Sequence, residues 1–120
     1  EDFCLLSGDD ATGCEFMLAG GSGVISVTAN AAPGLMRQAC DAALRGQSEQ
    51  AREADERLSG LHSAMFLEPN PIPVKWAVAR LGLMGEGIRL PLTWLDDRFH
   101  PAVASAMRAA GLQIEMQSST

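Results

Sequence analysis

The sequence predicts an α/β fold built around a small parallel sheet. Two apolar segments, at residues 3–6 (FCLL) and 24–27 (VISV), each end on small or acidic residues, and most of the remaining chain has a helical pattern. A right-handed crossover through one helix would place the two strands side by side and parallel. Two strands alone would leave exposed sheet edges, so we expect further strands outside this chain.

Composition and charge exclude several classes of protein. The 120 residues are 47% hydrophobic and carry a net charge of −6, which argues against a nucleic-acid or anionic-membrane surface. No apolar run approaches the ~20 residues that a membrane-spanning helix needs. Glu1 and Asp2 lead directly into the first strand, so no signal peptide is expected, and we predict a cytoplasmic location.

The three cysteines are predicted to be buried free thiols. Cys4, Cys14 and Cys40 are an odd number at apolar-patterned positions, which favours reduced core thiols in the cytoplasm over a disulfide. Their spacing fits no zinc pattern, and neither histidine is near them in sequence. We therefore expect no metal site.

The first half of the chain predicts two strand–helix units. The first strand, buried on both faces, is followed by a helix over about 11–19 that Asp9 or Asp10 would cap. Thr28 and Asn30 are expected to hold the turn after the second strand through hydrogen bonds from side chain to backbone. Pro33 fits the first turn of the next helix, which runs to about 45 before Gly46. Its predicted inner face is Leu35, Met36, Ala39, Cys40, Ala43 and Leu44.

The second half is predicted to be helical with one rigid interruption. Ser48 would cap a helix to about residue 66. The three prolines of EPNPIP at 68–73 predict an extended turn, with a helix from about 74 to 81. A loop over 83–99, a last helix over about 100–110 and a frayed tail over 113–120 complete the prediction. The inward positions of the long helix are Ala51, Ala54, Leu58, Leu61 and Met65.

The order and spacing of several motifs resemble one enzyme family. LLSGDDAT at 5–12, GGSGVISVTAN at 20–30, EPNPIPVKWA at 68–77 and RLPLT at 89–93 are similar to the C-terminal part of the dihydrodipicolinate synthase family of class I, pyruvate-dependent aldolases. The resemblance covers residues 3–112 approximately. The pairing of GGxGVISVTAN with EPNPIPVKW favours this family over its relatives, of which the N-acetylneuraminate lyases and keto-deoxy-sugar aldolases share its fold and are the nearest alternatives.

The resemblance implies an architecture and a division of the chain. The fold would be the C-terminal fragment of a (β/α)8 TIM barrel, with the last two parallel strands, plus a C-terminal helical appendage. Residues 1–46 would be the last two βα units, 47–112 the helical domain, and 113–120 a frayed tail. The intact enzyme would be a homo-oligomer, commonly a tetramer, and would require the N-terminal barrel half that this chain lacks.

The resemblance also implies a reaction. A lysine on the sixth barrel strand forms a Schiff base with pyruvate, and the resulting enamine adds to aspartate semialdehyde in lysine and diaminopimelate biosynthesis, without a further cofactor. Tyrosines relay protons in that chemistry, but this chain contains no tyrosine, and Lys75 is its single lysine. Lys75 lies at the start of an appendage helix and is expected to be structural. We therefore expect the isolated chain to be inactive.

The residues expected to touch substrate are Ile25, Gly8 and Asp9. By resemblance, Ile25 packs against pyruvate, although it would also suit a strand core. Gly8 would let backbone approach a ligand carboxylate, although it would also suit a turn. Asp9 would shape the aldehyde side of the pocket or cap a helix, while the cap is the favoured role for Asp10.

Two further features have ordinary interpretations. Asn70 is expected to form a turn. The glycines of GGSG at 20–23 precede their strand, which is the wrong side for a phosphate-binding loop.

Two alternatives to the synthase stay open: a related pyruvate lyase acting on another 2-keto acid, and a non-catalytic module that completes a barrel or dimerises through exposed strand edges.

Overall fold

The computed structural model describes residues 2–114 as a short parallel sheet joined to a helical region. In chain order, the elements are β1 (Leu6–Ser7), α1 (Asp10–Leu18), β2 (Gly23–Val24), α2 (Pro33–Leu44), α3 (Ser48–Ala64), α4 (Ile72–Arg80) and α5 (His100–Ala109). Two 3-10 turns, Thr28–Asn30 and Asp97–Phe99, accompany them. The α/β class with two parallel strands is therefore as the sequence predicts. Residues 115–120, which include most of the predicted frayed tail, lie outside the described part.

The two strands pair in parallel over a shorter stretch than predicted. Leu6 faces Gly23 and Ser7 faces Val24. The amide of Ile25 donates to the Ser7 carbonyl at 2.8 Å, and the amide of Ser22 donates to the Leu5 carbonyl at 2.7 Å. Regular strand pairing covers only these two residue pairs. Each strand is therefore two residues long, whereas the sequence predicted four residues at 3–6 and four at 24–27.

The prediction that the first strand is buried on both faces is wrong for this chain. Phe3 is 82% exposed, Leu5 55% and Leu6 49%, and Cys4 is exposed as well. The cause is that α1 is the main helix packed against the strands, so the rest of their surface is uncovered within the described residues. The first strand therefore presents an apolar surface that has no cover.

Helix α1 approaches β2 closely because position 13 lacks a side chain. A Cβ atom added to Gly13 would lie 2.7 Å from Cγ1 of Val24. Behind this contact, Cys14 and Met17 pack with alanines of α2 and α3 in a small core. The glycine thus sets the distance between the first helix and the second strand.

The main core lies among α2, α3, α4 and α5. The predicted inner positions of α3 are all buried. On α2 the inner face is shifted, since Ala42 is buried whereas Leu44 is 53% exposed at the end of the helix. The centre of the core consists of side chains with no exposed surface, namely Leu58, Leu61, Met65, Val103 and Met107.

The observed helix ends agree with the predicted ends more closely than the observed starts agree with the predicted starts. Gly46, Gly82 and Gly111 follow α2, α4 and α5 with φ of 74°, 78° and 85°, a conformation that glycine adopts without strain. Ser48 is the first residue of α3 and does not cap it, because Gln47 holds the capping position. Helix α4 begins at Ile72, two residues before the predicted start at 74. Pro73 fits in its first turn, because the amide that proline lacks would make no helical hydrogen bond at that position.

Candidate functional site

The carboxyl ends of the two parallel strands lie at the same edge of the sheet. Gly8 follows β1, and Ile25 follows β2. An open cavity of about 470 Å³ lies at this edge. Its wall combines residues after the strands with residues at the start of α4, namely Gly8, Ile25, Ser26, Val27, Asn30, Asn70, Pro71, Val74 and Lys75. In α/β barrels this edge is where substrates bind.

The structure brings together two of the three predicted contact residues. Ile25 lines the cavity and is 67% exposed, so it is not a core strand residue in this chain. A Cβ atom at Gly8 would meet nothing within 4 Å, and Gly8 has no positive φ. Neither crowding nor turn geometry therefore requires glycine at position 8, and open space lies in front of its backbone.

Asp9 is not among the residues that line the cavity. Its carboxylate accepts a hydrogen bond from the Thr12 hydroxyl at 2.6 Å, and its amide donates to the Ser7 hydroxyl at 3.1 Å. Asp9 holds the capping position of α1, but its side chain caps no backbone amide. Its contact with substrate stays a prediction.

The expected capping role of Asp10 is wrong. Asp10 is the first residue of α1 and is buried, with 4% of its surface exposed. One carboxylate oxygen accepts from the Ser26 hydroxyl at 2.5 Å, and the other accepts from the amides of Val27 and Thr28 at 2.9 and 3.1 Å. The three donors all belong to the segment that follows β2, so Asp10 ties α1 to the cavity wall.

The segment after β2 is also tied to α3. The Thr28 hydroxyl lies 2.8 Å from Nδ1 of His62, and both residues are buried. Nε2 of His62 lies 3.5 Å from the carboxylate of Asp55. Burial raises the pKa of Asp55, and the facing His62 opposes that rise. The predicted backbone role of the Thr28 side chain is wrong, whereas Asn30 does donate from its side chain to the Val27 carbonyl at 3.0 Å.

Sequence reasoning missed His62 as part of this network. Its spacing carried a signal, because His62 is one helical turn after Leu58, on the buried face of α3. A histidine on an apolar helix face needs a polar partner in the core. The identity of that partner depends on the fold, since Thr28 is 34 residues away in sequence.

Lys75 and Asn70, for which the sequence predicted structural roles, also line the cavity, and Asn70 lies in a turn as predicted. Lys75 is half-buried at the start of α4, and Asn70 precedes that helix. Lys75 is the single cation among the described residues that line the cavity. The structural role of Lys75 stays a prediction.

Cys14, Cys40 and the polar surfaces away from the cavity form no second candidate site among residues 2–114, and the prediction that Cys4 is buried is wrong, since Cys4 is exposed. Burial is the main cause that raises the pKa of Cys14 and of Cys40, which disfavours their reactive thiolates. A groove of about 400 Å³ between α2 and α3 has mixed charge, with arginines and carboxylates on its walls. Within the described part of the chain, no three metal-binding side chains gather in one place, and none of the helices could cross a bilayer.

Comparisons with known proteins agree on one family. The model of the dihydrodipicolinate synthetase family matches residues 1–110. The 4-hydroxy-tetrahydrodipicolinate synthase of Ectopseudomonas mendocina is 58% identical over 112 residues, which are 93% of this chain and 38% of that protein. The present chain thus spans about 38% of the length of the curated relatives that it matches.

Solved structures agree with the sequence relatives. The chloride-inhibited dihydrodipicolinate synthase from Acinetobacter baumannii, complexed with pyruvate, matches 92% of this chain with a TM-score of 0.89 and 43% identity, over 38% of its own length. A structure described as the first monomeric variant of this synthase matches 93% of the chain with a TM-score of 0.89 and 37% identity, over 37% of its own length. Motifs, fold and comparisons converge, and the chain belongs to the dihydrodipicolinate synthetase family.

Proposed function

We propose that this chain supplies the last two βα units of a (β/α)8 barrel, residues 1–46, and the helical appendage, residues 47–112, of a 4-hydroxy-tetrahydrodipicolinate synthase. The observation that carries the proposal is one cavity lined by Gly8 and Ile25 at the carboxyl ends of two parallel strands. The uncovered apolar side chains Phe3, Leu5 and Leu6 support it, because the remaining strands and helices of a barrel would cover them.

The proposed reaction condenses pyruvate with aspartate semialdehyde. A lysine amine outside this chain attacks the pyruvate carbonyl and releases water to form an imine. Loss of a methyl proton gives an enamine, whose carbon adds to the aldehyde. In this scheme Ile25 packs against the pyruvate methyl, Gly8 admits its carboxylate, and Asp9 borders the aldehyde side. Lys75 does not form the imine.

The same proposal covers partners and location. The intact enzyme would act in the cytoplasm as a homo-oligomer, with neither nucleic acid nor membrane as a partner and without a metal or organic cofactor. Its substrates would be pyruvate and aspartate semialdehyde. The same exposed strand surface also supports the alternative of a non-catalytic module, in which this strand would pair with another copy of the chain.

A chimera tests the proposed function directly. In the chimera, this chain replaces the matched region of the Ectopseudomonas mendocina synthase, which is 58% identical to it. We expect the chimera to consume pyruvate and aspartate semialdehyde, and borohydride with pyruvate to trap an adduct on a lysine contributed by the synthase portion. An adduct on Lys75, in the chimera or in the isolated chain, would contradict the proposed division of roles.

The choice of second substrate separates the synthase from related lyases. The chimera should turn over aspartate semialdehyde in preference to N-acetylmannosamine or sugar-derived aldehydes. A Gly8→Val variant should weaken pyruvate binding, because the added side chain would occupy the open space in front of the backbone. An inactive chimera that nevertheless folds and oligomerises would favour the module.

A further inference from the structure

The side chain of Ile25 is exposed at the cavity. It is 67% exposed, and its backbone amide is the last that pairs with β1. Beyond Ile25 the ladder ends, and the chain turns into the 3-10 turn Thr28–Asn30. The position of Ile25 therefore depends on what holds residues 26–28.

Two buried polar residues hold this segment from different helices. Asp10 at the start of α1 accepts from the Ser26 hydroxyl and from the amides of Val27 and Thr28. His62 of α3 contacts the Thr28 hydroxyl at 2.8 Å and is itself backed by Asp55 at 3.5 Å. The Ser26 hydroxyl also accepts from the amide of Ala29 at 2.9 Å, so one hydroxyl bridges Asp10 and the following turn.

We propose that Asp10 and His62 are positioning residues that fix Ile25 and the cavity wall for the first substrate. The proposal rests on the proposed function, since it assigns Ile25 to pyruvate. Asp10 and His62 are absent from the cavity wall, so their effect must pass through residues 26–28. Hydrogen bonds within a buried polar network are strong and directional, which suits Asp10 and His62 to holding the backbone of residues 26–28 in one arrangement.

The position of this network in the fold explains why it would act on substrate binding. Asp10 lies on α1, next to the sheet, and His62 lies on α3, in the helical region. The segment after β2 is therefore held by one residue from each of these two parts of the fold. Displacement of a substrate-positioning group by about 1 Å can cost as much as 100-fold in rate. Loss of either support should therefore weaken the pyruvate step selectively.

Kinetics of the chimera test the inference. For Asp10→Ala we expect the KM for pyruvate to rise about ten-fold or more, with the KM for aspartate semialdehyde changed by less than about two-fold. Asp10→Asn keeps one carbonyl oxygen for the two amides and should show a smaller rise. Glu56→Gln, an exposed carboxylate on α3, is the matched control and should match the parent. Equal changes in both KM values, or none, would overturn the inference.

The histidine provides a rescue test. His62→Asn can place an amide group near the position of Nδ1 and keep the contact with Thr28, whereas His62→Leu removes it. We expect His62→Leu to raise the KM for pyruvate and His62→Asn to restore it toward the parent. Equal kinetics for the two variants would contradict a positioning role for His62.

Amide hydrogen exchange keeps this inference separate from the proposed function. In the chimera, the amides of Val27 and Thr28 should exchange about ten-fold faster in Asp10→Ala and in His62→Leu, while the core of α3 stays protected. This measurement requires no turnover. An inactive parent chimera would contradict the proposed function alone, whereas unchanged exchange at these two amides would overturn the positioning role even in an active enzyme.

Discussion

At the scale of single residues, Asp55 links pH to stability. Burial raises its pKa, so the folded chain holds this proton more tightly than the unfolded chain does. Between the ordinary aspartate value of about 3.9 and the raised value, the folded state therefore binds more protons. Stability from this group is present at low pH and is lost as pH rises through that interval.

The variant Asp55→Asn should remove this component of the pH dependence. We expect its free energy of unfolding to fall less steeply than the parent's as pH rises above about 4, the two slopes differing by at most about 1.4 kcal/mol per pH unit, which is the effect of one proton. Urea unfolding of the chimera across a pH series measures the slope. Glu56→Gln, an exposed neighbour, should keep the parent slope, and an unchanged slope in Asp55→Asn would contradict the prediction.

The three thiols should differ in reactivity for physical reasons. Cys4 is exposed, whereas burial raises the pKa of Cys14 and of Cys40 and leaves less of each as thiolate. In the folded isolated chain, iodoacetamide at pH 8 should alkylate Cys4 about ten-fold or more faster than the other two. Peptide mass spectrometry measures the rates, which should converge in denaturant. Equal rates in the folded chain would contradict the burial of Cys14 and Cys40.

At the scale of elements, the close packing of α1 on β2 depends on Gly13. A Cβ atom at this position would lie 2.7 Å from Cγ1 of Val24, which no real contact tolerates. Gly13→Ala should therefore lower the free energy of unfolding by about 1–3 kcal/mol, the usual cost of overpacking. Thermal or urea unfolding of the chimera measures this loss.

The matched control for Gly13→Ala is the glycine-to-alanine substitution at Gly34 in α2. A Cβ atom at Gly34 would meet nothing within 4 Å. Since alanine is the better helix former, Gly34→Ala should raise stability by up to about 1 kcal/mol. If Gly13→Ala raised the free energy of unfolding, as Gly34→Ala is expected to do, the contact with Val24 would not be what requires glycine at position 13.

The helices were predictable because their signals are local. Apolar spacing on α3 and the glycines after α2, α4 and α5 are read within a few residues of each helix. The motifs around the two strands, at 5–12 and 20–30, are also local, and they carried the family resemblance. The network of Asp10 and His62 was not predictable, because their partners are 16–18 and 34 residues away and are chosen by the packing of helices.

Asp10 illustrates why local rules fail at such a position. An aspartate before a helix ordinarily caps it, and the sequence offered two candidates. Asp9 takes the capping position, while the side chain of Asp10 is turned toward three donors after β2. Burial of the carboxylate is tolerated because all three donors satisfy it, a condition that exists only in the assembled fold.

At the scale of the whole molecule, the described chain is elongated. Its radius of gyration is 15.2 Å, and its principal extents are 54 × 29 × 21 Å. A compact domain of this length would have a radius of about 13.6 Å. The molecule combines a packed helical core with a two-stranded sheet that has little cover among the described residues, and a sheet of two strands is marginally stable alone.

The uncovered strand should make Cys4 a reporter of barrel completion. In the isolated chain Cys4 is exposed beside Phe3 and Leu5, and this apolar surface should drive self-association as concentration rises. If the chimera completes a barrel as proposed, its additional strands should cover this strand and lower the alkylation rate of Cys4 about ten-fold or more. Alkylation with size-exclusion chromatography measures both effects on the same samples. If Cys4 reacts equally fast in the active chimera and in the monomeric isolated chain, this strand does not enter the barrel as proposed.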